Sequence, residues 1–231
     1  MKAVAQRVDQ IVKRVREAAR RAGRNAEEIT LVAASKGVDV GPIREAAAAG
    51  IAVFGENRVQ EARAKFVDFI NGGLFSEREP VSVDLIGPLQ TNKVKQAVGF
   101  FSKIHSIDSL RLAEKVAQEA ERRGIIQSVL IEVNVGGEAS KHGVSVAEVP
   151  ALVAALRRLP SLSLEGLMTV PPPTADPEGA RPFFSTLRRL GEDLGLQRFS
   201  MGMSADFEIA IEEGATSVRI GTALFGPRRK G

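Results

Sequence analysis

Eight short apolar runs recur along the chain, each followed by a helical stretch, and this alternation constrains the fold more than any other feature. The runs are Ile29 to Ala34, Ala52 to Phe54, Val81 to Ile86, Lys103 to Ser106, Ser128 to Val135, Leu162 to Leu167, Phe199 to Met201 and Ser217 to Ile220. Strands that alternate with helices form a parallel sheet. Right-handed crossovers then leave two options, a closed barrel or an open doubly wound sheet. Eight units within 231 residues favour the barrel, and no GxGxxG follows the first run. The expected architecture is therefore α/β, a single (β/α)8 TIM barrel, with residues 1–231 forming one domain.

One extra helix precedes the alternation. Val4, Val8, Ile11, Val12, Val15 and Ala19 recur at helical spacing and carry it to about Ala22. Later helices are expected from Pro42 to near Gly50, Asn57 to about Ile70, Thr91 to Val98, Ser109 to Arg122 and Val146 to Leu159. Another follows the Pro-rich loop Pro171 to Pro177, and Asn71 to Pro80 is a second loop-sized insertion.

Several function classes drop out on composition. No apolar run approaches the roughly 20 residues that span a bilayer. The absence of cysteine excludes disulfides, thiolate metal sites and a Cys nucleophile, and suits a cytoplasmic setting. The basic N-terminus carries Asp9 and Glu17 and lacks an h-region, so it reads as a structural helix rather than a targeting peptide. A net charge of +4 comes mainly from that helix and from Arg228, Arg229 and Lys230. Elsewhere both signs alternate, and Trp and Tyr are absent, which argues against nucleic-acid binding.

A barrel of this kind keeps its chemistry at the carboxyl ends of its strands. The segment Phe199 to Gly226 contains two strand–turn–helix units whose turns are rich in Gly, Ser and Thr. Exposed amides and hydroxyls at such turns hold phosphate, and barrels of this class place phosphate after strands 7 and 8. Ser200, Gly221 and Thr222 are the expected phosphate ligands, with Ser204 flanking as the N-cap of a helix carrying Asp206 and Glu208. Lys36 ends the run LVAASK at the same face. It is either a strand-end lysine reaching water or, if partly desolvated, a nucleophile toward an aldehyde. An amine facing a phosphate site suggests pyridoxal 5′-phosphate (PLP) held as a Schiff base. Arg219 can then donate to the ring nitrogen and weaken the ring as an electron sink, or pair structurally with Glu212 or Glu213. Asn57 has two readings, ligand contact and helix N-cap. His105, and His142 within Ser140-Lys141-His142-Gly143, lack metal-ligand spacing and are expected to be structural.

Six ordered motifs carry a family resemblance. They are ASK at Lys36, FGENRVQE from Phe54, LIGPLQTNK from Leu85, GLMTV from Gly166, SMGMSADF from Ser200 and RIGTALFG from Arg219. Together they resemble the YggS/PROSC family of PLP-binding homeostasis proteins. That resemblance implies the fold of the alanine racemase N-terminal domain, with PLP on Lys36 and phosphate on Ser200, Gly221 and Thr222. It also places Arg219 at the ring nitrogen and Asn57, Met201 and Ser204 along the pocket. The implied role is intracellular PLP (vitamin B6) homeostasis by a monomeric carrier or buffer, with apo PLP-dependent enzymes as partners and no catalytic turnover. Two positions depart from the family pattern: Arg58 stands where Tyr is usual, and Asp84 where His is common. Neither lies in the Lys36 or phosphate motifs, so PLP binding is expected to be little affected.

Two alternatives are enzymes. A PLP-dependent amino-acid racemase needs bases on both faces of the substrate α-carbon, and the chain has no Tyr to serve as the second. A sugar-phosphate barrel enzyme with a Schiff-base lysine would use the same loops but carry no chromophore.

Overall fold

Parallel strand pairing closes on itself in the computed structural model, which describes residues 2–71, 81–138 and 141–227. Strands β1 (Thr30–Ala34), β2 (Val53–Glu56), β3 (Ser82–Leu85) and β4 (Lys103–Ile107) run in spatial order. β5 (Gln127–Asn134), β7 (Leu162–Met168), β8 (Arg198–Ser200) and β9 (Ser217–Ile220) complete the ring. β1 pairs with β9 on one side, and β4 pairs with β5 to close the circle. The expected eight-stranded barrel is therefore present. A ninth strand, β6 (Val144–Ser145), adds to the end of β5 outside the ring. At two residues it carries too little pattern to be read from sequence.

Helices fill the crossovers: α1 (Lys2–Arg21), α2 (Val40–Ala48), α3 (Val59–Asn71), α4 (Val94–Ala97) and α5 (Leu110–Arg122), then α6 (Val149–Leu156), α7 (Arg181–Asp193), α8 (Phe207–Glu212) and α9 (Thr222–Phe225). α5 begins at Leu110 rather than Ser109, and Ser109 caps it by accepting the Leu112 amide at 3.3 Å. α2 begins two residues before Pro42, which the first helical turn tolerates because its amides have no intrahelical partners. α3 begins at Val59 rather than Asn57. Thr91–Lys93 and Val146–Glu148 form 3₁₀ turns that lead into α4 and α6.

Most of the apolar core lies between the strands and the helix layer, including Phe54, Phe66, Ile104, Val116, Leu156, Phe184 and Phe207. α1 joins it through Val4, Val8, Ile11, Val15, Ala18 and Ala19. Its basic face is partly consumed within the fold. Arg14 forms a two-bond pair with Glu208 at 3.1 and 3.0 Å and stacks over Phe207. Arg21 bonds Glu212 at 2.9 Å, and Arg24 donates to the carbonyls of Ile211 and Ala215 at 2.8 Å each. No helix among the described residues is long and apolar enough to cross a membrane. The tail cations Arg228, Arg229 and Lys230, Ser140, and the insertion beyond Asn71 lie outside the described residues.

Candidate functional site

The carboxyl ends of the strands surround a cavity of about 380 Å³, within the usual range of small-molecule sites, about 300–1,000 Å³. Lys36, Asn57, Ser204, Arg219, Gly221 and Thr222 all line it. Ala34, Ile86, Val170 and Met203 supply apolar wall. An amine, a guanidinium, a side-chain amide and two hydroxyls thus converge on one space from the ends of four strands.

The turns after β8 and β9 are stitched together. Ser204 Oγ accepts the Ala223 amide at 3.3 Å, so Ser204 does not cap α8 as expected. Asp206 takes the N-terminal position of that helix, and its carboxylate accepts the Met203 amide at 2.6 Å. Gly202 makes the turn possible, with φ of +89° and an added Cβ falling 2.5 Å from Ala210 Cβ. Gly87 serves Asn57 similarly. A Cβ there would lie 2.6 Å from the Asn57 carbonyl oxygen, so only glycine lets the end of β3 pass this closely.

The residues flanking Lys36 are held by a partly buried polar brace on the outer side of the barrel. Lys65, on α3, donates to the Ser35 carbonyl at 2.8 Å, Glu56 Oε1 at 3.1 Å and Glu61 Oε1 at 2.6 Å. Ser35 Oγ donates to the same Glu56 oxygen at 2.7 Å, and the Gly37 amide to Glu61 at 2.5 Å. The residues on both sides of Lys36 are therefore pinned. Glu56 is fully buried, and its Oε2 has no hydrogen-bond partner among the described residues. Burial pushes its carboxyl up, against the hydrogen bond from Ser35 and the charge of Lys65. Sequence reading missed this brace because Lys65 and Glu61 resemble an ordinary charged pair on an exposed helix face.

Arg219 is buried on β9 and reaches the cavity from below. Nη1 donates to Ser200 Oγ at 2.6 Å and Nη2 to the Thr169 carbonyl at 2.8 Å. Thr169 is itself held by its hydroxyl on the Val133 carbonyl at 2.7 Å. The alternative pairing of Arg219 with Glu212 or Glu213 is not made, since both bond Arg181 instead. Burial draws the guanidinium down to about 10, while Glu132 and Asp206 pull the other way. Both carboxyls are raised by their own burial.

Ser200 and Met201 do not line the cavity. Ser200 is the last residue of β8, and its side chain lies inside the barrel beneath Arg219, while Met201 is fully buried. Of the serines expected near the phosphate, Ser200 has its oxygen bonded by Arg219 and His105, and Ser204 lines the mouth. Asp84, outside the Lys36 and phosphate motifs, joins the same buried cluster through His105. Arg58 is exposed, in a groove beside the mouth with Gln90 and Lys93. His142 is exposed.

Known proteins resemble this chain along nearly its whole length. The model of the alanine racemase N-terminal domain matches residues 7–229. A pyridoxal phosphate homeostasis protein of Aquifex aeolicus is 44% identical, covering 97% of this chain and 98% of its own. One from Pseudomonas aeruginosa is 42% identical over 100% of this chain and 98% of its own. Among solved structures, PipY of Synechococcus elongatus with PLP bound superposes with a TM-score of 0.82 at 32% identity, covering 96% of this chain and 100% of that one.

Proposed function

The chain belongs to the alanine racemase N-terminal-domain family, and on that premise we propose that it binds pyridoxal 5′-phosphate on Lys36 and serves as a carrier or buffer of the cofactor. One observation carries the reading: a single cavity brings Lys36, Arg219, Ser204, Gly221 and Thr222 together. The donor set fits the group. An amine suits an aldehyde, hydroxyls and amides suit a phosphate, and a guanidinium suits a pyridine nitrogen.

Lys36 would hold PLP through its amine, and the cofactor would supply an aldehyde as the electrophile. The remaining roles belong to the chain. Ser204 and Thr222 donate hydroxyls to the phosphate, and Gly221 keeps the backbone clear for close approach. Asn57, which lines the same cavity, would contact the ligand. Arg219 donates to the ring nitrogen without a proton to give up, which keeps the ring a weak electron sink. Met201 supports the turn from the core, and Ser200 supports Arg219.

The same chemistry supports a non-catalytic role. A weak sink disfavours carbanion formation, and no Tyr is available as a second base. The proposal extends to a monomeric, one-domain cytoplasmic protein, residues 1–231, that exchanges PLP with apo PLP-dependent enzymes. The curated relatives' names, as homeostasis proteins, support the carrier reading over a racemase.

Absorption and intact mass before and after borohydride reduction test the reading, with Lys36→Ala alongside. A reducible visible band and a phosphopyridoxyl mass adduct are expected in the wild type and absent in the variant. No band and no adduct after incubation with PLP would overturn the cofactor assignment. Turnover of amino acids by the loaded protein would overturn the carrier role.

A further inference from the structure

A line of three hydrogen bonds crosses the barrel interior from its amino-terminal side to the floor of the mouth. Asp84 Oδ2 lies 3.1 Å from His105 Nε2, His105 Nδ1 lies 3.0 Å from Ser200 Oγ, and Arg219 Nη1 lies 2.6 Å from the same oxygen. All four residues are buried. They come from β3, β4, β8 and β9, so only barrel closure brings them into line.

The chemistry of the groups sets the direction of every bond. A guanidinium has only donors, so Ser200 accepts from Arg219. A carboxylate only accepts, so Asp84 accepts a hydrogen bond from the Nε2–H of His105. A neutral ring protonated at Nε2 has its lone pair on Nδ1, which accepts the Ser200 hydroxyl proton. The bonds then all point the same way: Arg219 to Ser200, Ser200 to His105, His105 to Asp84. Such an aligned series polarises along its length. Burial keeps His105 below its ordinary pKa, although Asp84 pulls it up, and Arg219 and Lys103 add to the downward push.

Asp84 matters because of what it cannot do. A residue able to donate at this position would allow the His105 ring to reverse, leaving Nδ1 protonated and aimed at Ser200. Ser200 would then face donors on two sides. A carboxylate removes that second arrangement.

We propose that Asp84, acting through His105 and Ser200, is a positioning residue for Arg219, and thereby tunes the ring of a cofactor held at the mouth. The tuning half rests on the PLP reading above; the positioning of Arg219 does not. A small cavity of about 200 Å³, lined by Asp84, His105, Ser200, Lys103 and Glu165, opens beneath the line at the amino ends of the strands. The relay is thus reachable from the barrel face opposite the mouth.

Nitrogen NMR of the cofactor-free protein reads the relay directly. The expected result is a neutral His105 ring protonated at Nε2, with Arg219 side-chain resonances that move in Asp84→Asn and in Ser200→Ala. A second measurement uses PLP-loaded protein. Both variants are expected to keep the Lys36 label, shift the visible band, and weaken PLP affinity by about tenfold, the usual scale for one hydrogen bond to a charged group. The double variant should be little worse than either single one, because both interrupt the same line. A wild-type ring protonated at Nδ1, unmoved Arg219 resonances, or an unchanged band and affinity in both variants would each overturn the proposal. If Asp84→Asn fails to fold, Ser200→Ala decides. If the wild type takes up no PLP, the functional reading fails, and the positioning of Arg219 stands or falls on the apo resonances.

Discussion

Ser204 Oγ accepts the Ala223 amide at 3.3 Å, and that bond ties the turn after β8 to the turn after β9. Two phosphate-type turns far apart in sequence thereby become one rim. Ser200, four residues earlier in the same motif, bonds Arg219 beneath that rim and plays no part in it.

The two serines should respond differently when truncated. Ser204→Ala is expected to weaken PLP binding about tenfold and to lower the affinity for inorganic phosphate in parallel, since one donor to the phosphate is lost. Ser200→Ala should leave the affinity for inorganic phosphate unchanged. Equilibrium titration with both ligands checks the ranking. A loss of phosphate affinity in Ser200→Ala alone would reverse the assignment.

Gly202→Ala should be costly. Its backbone sits at φ +89°, and the new methyl would press on Ala210 and Phe207. Strain and overpacking together are expected to remove about 2–4 kcal/mol of stability. Denaturant unfolding reads this, and a loss below about 1 kcal/mol would mean that the turn relaxes freely.

Lys65→Met should destabilise the protein by about 3 kcal/mol, because it leaves Glu56 buried without its cation. Adding Glu56→Gln should restore part of that loss. The same single variant should slow capture of PLP by Lys36, since the brace pins Ser35 and Gly37 on either side. Unfolding free energies of the two singles and the double measure the coupling. Strict additivity would show that the brace is not one unit.

His105 makes stability depend on pH. The unfolded chain takes up a proton near pH 6.5, whereas the folded ring resists it to lower pH because it is buried. Stability is therefore lost as pH falls from about 6.5 toward the folded pKa, at up to about 1.4 kcal/mol per pH unit, and is unaffected above that window. Comparing wild type with His105→Gln by denaturant melts isolates the effect. A constant difference across the acid range would count against a buried neutral ring.

Much of the site was legible because strand ends are legible. Lys36, Gly221 and Thr222 stand where short apolar runs break, and in a barrel those breaks face one cavity. The same logic leaves the direction of the Ser200 side chain open. That serine is the last residue of its strand, and the two-residue period of a strand decides whether such a side chain points into the barrel or toward the helices. A boundary uncertain by one residue leaves that direction open. Asp84 and His105 were read one at a time, since 21 residues separate them and only the neighbouring positions of β3 and β4 join them. Lys65 was unreadable for a related reason: its partners lie on the loops after β1 and at the end of β2.

What the sequence by itself determined was local in origin. Alternating apolar runs and helical periods set the eight strands, their parallel sense and the ring of chemically active strand ends. Tertiary structure alone decided the cross-barrel partners: Arg219 with Ser200, His105 with Asp84, Lys65 with Glu56, and Ser204 with the amide of Ala223. The reason is physical. Periodicity records which face of an element each residue occupies, whereas a hydrogen bond between distant residues depends on register and closure. Those are set only when every strand has found its neighbour.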